Sequence, residues 1–168
     1  MTTSIGIVGC GTIGKAILKA VDAGKINVNV AGVVARSDAA AREFLDSLEH
    51  SWPLMSQREL IGAADLIIEA AGAHVVPELA AATFDAGKDL MLISIGALVA
   101  RPEIMARARE TGCRLLMPSG AIIGLDGIKS ASIGEIDHVT MVSRKGPAAL
   151  DGAPHVVNSN IDLWSLTE

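Results

Sequence analysis

Ser4-Ile5-Gly6-Ile7-Val8-Gly9-Cys10-Gly11-Thr12-Ile13-Gly14 is the stretch on which the fold turns. Ser4–Val8 reads as a short strand, and the apolar spacing over residues 12–23 is that of a helix. Between them the glycines have the spacing G-x-G-x-x-G. Gly9 permits a tight turn, Gly11 lets the backbone approach a pyrophosphate, and Gly14 lets the helix pack close to the strand. Free N–H groups around Thr12 and Ile13 at the helix start then meet the anion. A glycine turn without a ligand is the plainer reading. The strand before the motif and the helix after it supply the context that a lone match lacks.

Outward from this stretch, short apolar runs alternate with helical ones. Residues 28–35 form a valine-rich strand, and Asp38 can cap a helix reaching about residue 48. Ser56-Gln57-Arg58-Glu59 has the capping-box spacing. Residues 66–70 read as a strand, followed by a helix from Pro77 to near Gly87. Residues 90–95 are a strand, Pro102–Thr111 a helix stopped by Gly112, and residues 114–117 a strand. Repeated strand–helix–strand units imply parallel strands with crossover helices, an α/β fold of Rossmann type.

Composition supports this reading. Half of the 168 residues are hydrophobic, but aromatics are only 2%, so the core must be Ile, Leu, Val and Ala. Such a core suits strands covered by helices on both faces. The apolar content excludes disorder. A net charge of −5 without a basic block argues against nucleic acid as a partner. Apolar runs are too short to span a bilayer, so no membrane association is expected. Two cysteines, Cys10 and Cys113, make no disulfide framework and have no metal-ligand spacing, and a reducing, cytoplasmic setting is expected. Residues 1–4 run straight into the first strand, so no signal peptide is expected.

After Pro118 the texture changes. A loop, Pro118-Ser119-Gly120-Ala121, precedes a helix over residues 125–133, a strand over 137–144 and a loop-like remainder. One helix and one strand cannot bury their apolar faces alone. The organisation expected is a dinucleotide-binding domain at 1–118, then the incomplete start of an α+β domain at 119–168. A lone strand exposes unpaired backbone groups, so a homodimer or higher homo-oligomer is expected.

The cofactor's identity rests on the end of the second strand. NAD binders place an acid there to hold the ribose hydroxyls. Here the stretch is Val33-Val34-Ala35-Arg36-Ser37. Arg36, helped by the Ser37 hydroxyl, can face a 2′-phosphate and select NADP; otherwise Arg36 is a solvated loop residue and NAD stays open. Glu69-Ala70-Ala71-Gly72 and Ser94-Ile95-Gly96-Ala97 end two further strands on small residues, which let a cofactor lie against the backbone. Ala71, Gly72, Ser94, Gly96 and Ala97 therefore join Gly9, Gly11, Thr12, Ile13 and Gly14 as candidate cofactor contacts.

These segments, with Pro118-Ser119-Gly120-Ala121-Ile122, Leu125-Asp126-Gly127-Ile128-Lys129 and Ser143-Arg144-Lys145, occur in an order that resembles the L-aspartate dehydrogenase family, a relative of homoserine dehydrogenase. The resemblance implies hydride transfer from L-aspartate to NAD or NADP, giving iminoaspartate. That product hydrolyses to oxaloacetate and ammonia or feeds NAD synthesis. It implies that Ala121 contacts the nicotinamide end of the cofactor. It also implies a catalytic His and a cofactor-contacting Asn that fall beyond Glu168, so little activity is expected of these 168 residues alone. Within the chain, His74 and Arg144 are the candidates for work on the substrate. His74 follows a strand end near the cofactor edge, where it can also simply start a helix. Arg144, with Lys145, can hold a dicarboxylate or be a solvated charge pair. A cofactor-binding module without catalysis is the alternative reading.

Overall fold

The computed structural model describes residues 3–119 and 124–166. Two compact units divide the chain, Met1–Ile123 and Gly124–Glu168.

The first unit is built on a five-stranded sheet. Its strands are β1 (Ser4–Val8), β2 (Asn29–Val34), β3 (Leu66–Glu69), β4 (Asp89–Leu92) and β5 (Leu115–Leu116). They lie in the order β2-β1-β3-β4-β5, and every pairing is parallel. Helices α1 (Thr12–Asp22), α2 (Asp38–Leu45), α3 (Gln57–Ala63), α4 (Val76–Asp85) and α5 (Pro102–Thr111) make the crossovers. This is the α/β Rossmann-type architecture expected from the alternation. The chain reverses its direction of strand addition between β2 and β3, so the end of β1 lies at the switch point.

Alternation along the strands sorts the core into two faces. Ile67, Leu90 and Leu92 pack with Leu60, Leu79, Phe84 and Ile104 from α3, α4 and α5. Ile5, Ile7 and Ile68 pack with Leu18 of α1 and Leu45 of α2. Gly6 permits the first packing: a Cβ there would stand 2.7 Å from Leu60 Cγ. Strand β2 departs from strict alternation. Ile5 pairs with Val30, but Gly6 pairs with Gly32, so Ala31 is an extra residue. This irregularity lets Val30 and Val33, three apart, face the same cluster. Beyond β2, the parallel bridge Val33–Leu54 is the one isolated bridge among the described residues.

Local signals hold at several ends. Ser56 and Glu59 form the full capping box on α3. Pro102–Thr111 is a helix stopped by Gly112 at φ 71°. The N-terminus of α2 differs from expectation: Ser37 is the N-cap, and Asp38 lies inside the first turn. A one-turn 3₁₀ segment, Ala73–Val75, precedes α4, and another, Ile95–Leu98, follows β4 where the strand was expected to continue.

The second unit contains α6 (Leu125–Ala131), α7 (Pro147–Leu150) and α8 (Pro154–Asn158). The strand expected over 137–144 is not formed. No residue between 136 and 145 donates a backbone hydrogen bond to another backbone group, among the described residues. A strand is defined by its ladder, and alternation alone cannot supply the second strand. The remainder expected to be loop-like carries α7 and α8, each opened by proline at its first turn. No helix among the described residues is long and apolar enough to cross a membrane.

Candidate functional site

Parallel pairing brings the ends of four strands to one edge. Val8 is in register with Val34 and Glu69, and Glu69 with Leu92. The loops leaving β1, β2, β3 and β4 therefore emerge side by side, where open α/β sheets bind ligands. Hydrogen bonds fasten their first residues: Gly9 N–H donates to Val34 O (2.8 Å), Ala70 N–H to Val8 O (2.7 Å) and Ile93 N–H to Glu69 O (3.1 Å).

In the glycine loop each glycine has a separate reason. Gly9 has φ +110°, and a Cβ on it would stand 2.7 Å from the Ala71 nitrogen. A Cβ on Gly14 would run into the Gly9 carbonyl oxygen. Gly11 is different: it is the N-cap of α1 in an extended conformation, and nothing lies within 4 Å of its Cβ position. The space over Gly11 is open. No side chain caps the N-terminus of α1, and Lys15 N–H is bonded to Gly11 O at 2.9 Å. Gly11, Thr12 and Ile13 are exposed, whereas Gly14 is buried. An exposed eleven-residue helix start over a cleared backbone fits the diphosphate of a dinucleotide.

Arg36 and Ser37 lie on the exposed turn between β2 and α2. Arg36 makes no ion pair among the described residues, and the Ser37 hydroxyl does not cap α2. Both lie exposed at the strand end where dinucleotide-binding sheets read ribose. Cys10 is half-buried in the glycine loop; burial pushes its thiol up, against the pull of the Lys15 charge. It packs against the cluster containing Leu18 and is a poor nucleophile there.

The loops after β3 and β4 are joined by a residue to which the sequence reading gave no role. Glu69 is 0% exposed. Its Oε1 accepts from Ala71 N–H (2.8 Å), Gly72 N–H (2.7 Å) and the Ser94 hydroxyl (3.0 Å), and its Oε2 from Ser94 N–H (2.9 Å). Gly72 has φ +117°, a conformation that favours glycine. The available signal was the lone acid closing Leu66-Ile67-Ile68, a run buried enough that an acid at its end needs dedicated donors.

Gly96 is exposed and Ala97 half-buried on the 3₁₀ turn after Ser94. His74 is exposed on the turn before α4; a Cβ on Gly72 would stand 3.2 Å from its Nδ1. Ala121 lies outside the described residues. Arg144 belongs to the second unit, where it lines an open cleft of about 580 Å³ with Ser143, Lys145 and Leu150. His50 bonds Asp22 Oδ1 through Nδ1 at 2.9 Å and stacks on Trp52.

Comparison with known proteins agrees with this geometry. The family model described as homoserine dehydrogenase, NAD binding domain, matches residues 9–118. The chain is 42% identical over 166 residues to the L-aspartate dehydrogenase of Methanosarcina acetivorans, covering 96% of this chain and 61% of that protein. It is 34% identical to L-aspartate dehydrogenase 3 of Bordetella bronchiseptica, covering 98% of this chain and 61% of that one. The chain thus spans about three fifths of the length of these curated relatives. Among solved structures, a homoserine dehydrogenase from Thiobacillus denitrificans superposes with a TM-score of 0.60 at 19% identity, over 70% of this chain and 29% of that one. A biliverdin reductase from Synechocystis in complex with biliverdin and NADP+ superposes with a TM-score of 0.56 at 24% identity, over 68% of this chain and 37% of that one.

Proposed function

Since this chain belongs to the homoserine dehydrogenase NAD-binding domain family, we propose that it serves an NAD(P)-dependent oxidoreductase of the L-aspartate dehydrogenase type. The observation that carries the proposal is the cleared backbone at Gly11 beneath the uncapped start of α1. Thr12 and Ile13 N–H groups would hold the diphosphate, with Gly9 and Gly14 keeping the loop tight. A bound nicotinamide would take the hydride from Cα of L-aspartate, whose nitrogen loses a proton as iminoaspartate forms. The small residues Ala71, Gly72, Gly96 and Ala97 would leave room for that half of the cofactor.

Arg36 and Ser37 favour NADP over NAD, because a guanidinium and a hydroxyl suit a 2′-phosphate better than a ribose hydroxyl. Residues 1–118 form the cofactor domain in this reading, and 119–168 begin the catalytic and oligomeric part. There the Arg144 guanidinium, with Lys145 and Ser143 beside it, suits a substrate carboxylate. A second copy of the chain would cover the exposed Ile133, Met141, Val142 and Trp164. The free thiols Cys10 and Cys113 fit a cytoplasmic setting.

Titration of NADH and NADPH by fluorescence or calorimetry tests the proposal. NADPH is expected to bind more tightly, and R36A to remove the difference. Binding of neither dinucleotide overturns the cofactor assignment, and tighter binding of NADH overturns the role of Arg36. Turnover of L-aspartate by the chain would exclude the non-catalytic module.

A further inference from the structure

Resting on the dinucleotide reading above, we propose that Glu69 is a positioning residue: its buried carboxylate clamps the loops after β3 and β4 together and sets the seat of the nicotinamide half of the cofactor. The other β3 residues, Leu66, Ile67 and Ile68, are apolar. A residue needed only for packing at 0% exposure would be apolar too, because desolvating a carboxylate is costly. Four donors offset that cost, and they come from two different loops: Ala71 and Gly72 after β3, Ser94 after β4. With three bonds on Oε1 and one on Oε2, the carboxylate is occupied as an acceptor. It is not placed to exchange protons with a substrate.

The seat it builds has an assignable side. Diphosphate falls at the start of α1, and the adenosine ribose is read at the end of β2, to one side of β1. The remaining half of a dinucleotide must run to the other side, over β3 and β4. Those are the two loops that Glu69 joins.

In Glu69→Gln, one carboxylate oxygen becomes an NH₂ group facing N–H donors. If Oε2 is the atom replaced, the Ser94 amide loses its acceptor, and if it is Oε1, the Ala71 and Gly72 amides lose theirs. The test compares NADH and NADPH with ADP, which carries the adenosine and diphosphate but no nicotinamide, by calorimetry on wild type and E69Q. The expected result is a loss of about tenfold or more in dinucleotide affinity, with ADP affinity unchanged to within about twofold. Equal loss for ADP and dinucleotide makes Glu69 a general scaffold residue and overturns the proposal, as does undiminished dinucleotide binding. A wild type that binds neither ADP nor dinucleotide removes the cofactor reading itself and this assignment with it. If E69Q does not fold, residue-resolved amide exchange on the wild type decides: Ala71, Gly72 and Ser94 amides must be protected, and exchange at the rate of free loop amides overturns the clamp.

Discussion

At the glycine loop, Gly14 and Gly11 are expected to respond differently to an added side chain. Gly14→Ala places a methyl group against the Gly9 carbonyl, a backbone atom that cannot rotate away. It should cost about 1–3 kcal/mol or more in stability and weaken cofactor binding as well. Gly11→Leu places a Cβ with no atom within 4 Å of it, and its backbone is in a region open to any residue. Its stability should stay within about 0.5 kcal/mol of wild type, while NADPH binding is lost because the side chain fills the diphosphate space. Thermal melts and titrations on the two variants separate folding from binding. A Gly11→Leu variant that binds normally would remove the diphosphate from this loop. Cys10 should alkylate slowly at neutral pH, since burial raises its thiol and only the Lys15 charge opposes that. Rapid labelling by iodoacetamide in the folded protein would contradict it.

Element ends carry polar ties of the first unit, and three of them are carboxylates held below their usual range. Asp22, at the end of α1, accepts first from the His50 backbone N–H and then from its ring, with Glu49 N–H adding to these. Glu59 is lowered by the Ser56 hydroxyl and then by the Ser56 N–H. For Asp89, burial is the largest influence and pushes upward, but hydrogen bonds and charge from Arg114 together outweigh it. A carboxyl lowered in the folded state binds fewer protons there than in the unfolded chain. Its stabilisation is present above the unfolded value of roughly 4 and disappears as pH falls through the folded value. The melting temperature of Asp22→Asn should therefore lie below wild type at neutral pH, with the gap closing as the solution is acidified below about pH 4. A gap independent of pH would show that the Asp22 contribution is not ionic. Ser56→Ala should lower stability by about 1 kcal/mol by removing the cap, seen as a lower urea midpoint with an unchanged slope.

For the molecule as a whole, the second unit poses the open question of what covers it. Ile133 is 92% exposed and Val142 81%, and the segment around Met141 has no backbone partner among the described residues. The proposed self-association should appear as a mass of two chains or more in light scattering across a concentration series. Trp164→Ala, at a side chain 71% exposed, should shift that equilibrium toward single chains without lowering NADPH affinity. A single-chain mass at every concentration would end the proposal.

The first unit was largely readable because its signals are local. Gly9, Gly11 and Gly14 carry their own backbone requirements, Ser56 and Glu59 cap over three residues, Gly112 stops a helix by its own φ, and strand–helix alternation implies parallel order. What stayed hidden depends on residues distant in sequence. The irregularity at Ala31 exists only in the register of β2 against β1. Residues 137–144 alternate like a strand, but no ladder partner meets them among the described residues. Glu69 read as the acidic end of an apolar strand, and its role appears only when Ser94, 25 residues away, comes to donate to it. A sequence carries conformational preference and spacing by itself, because these act between near neighbours. Pairing, burial and the satisfaction of a buried charge are properties of two segments at once, and only the tertiary structure brings the second segment to the first.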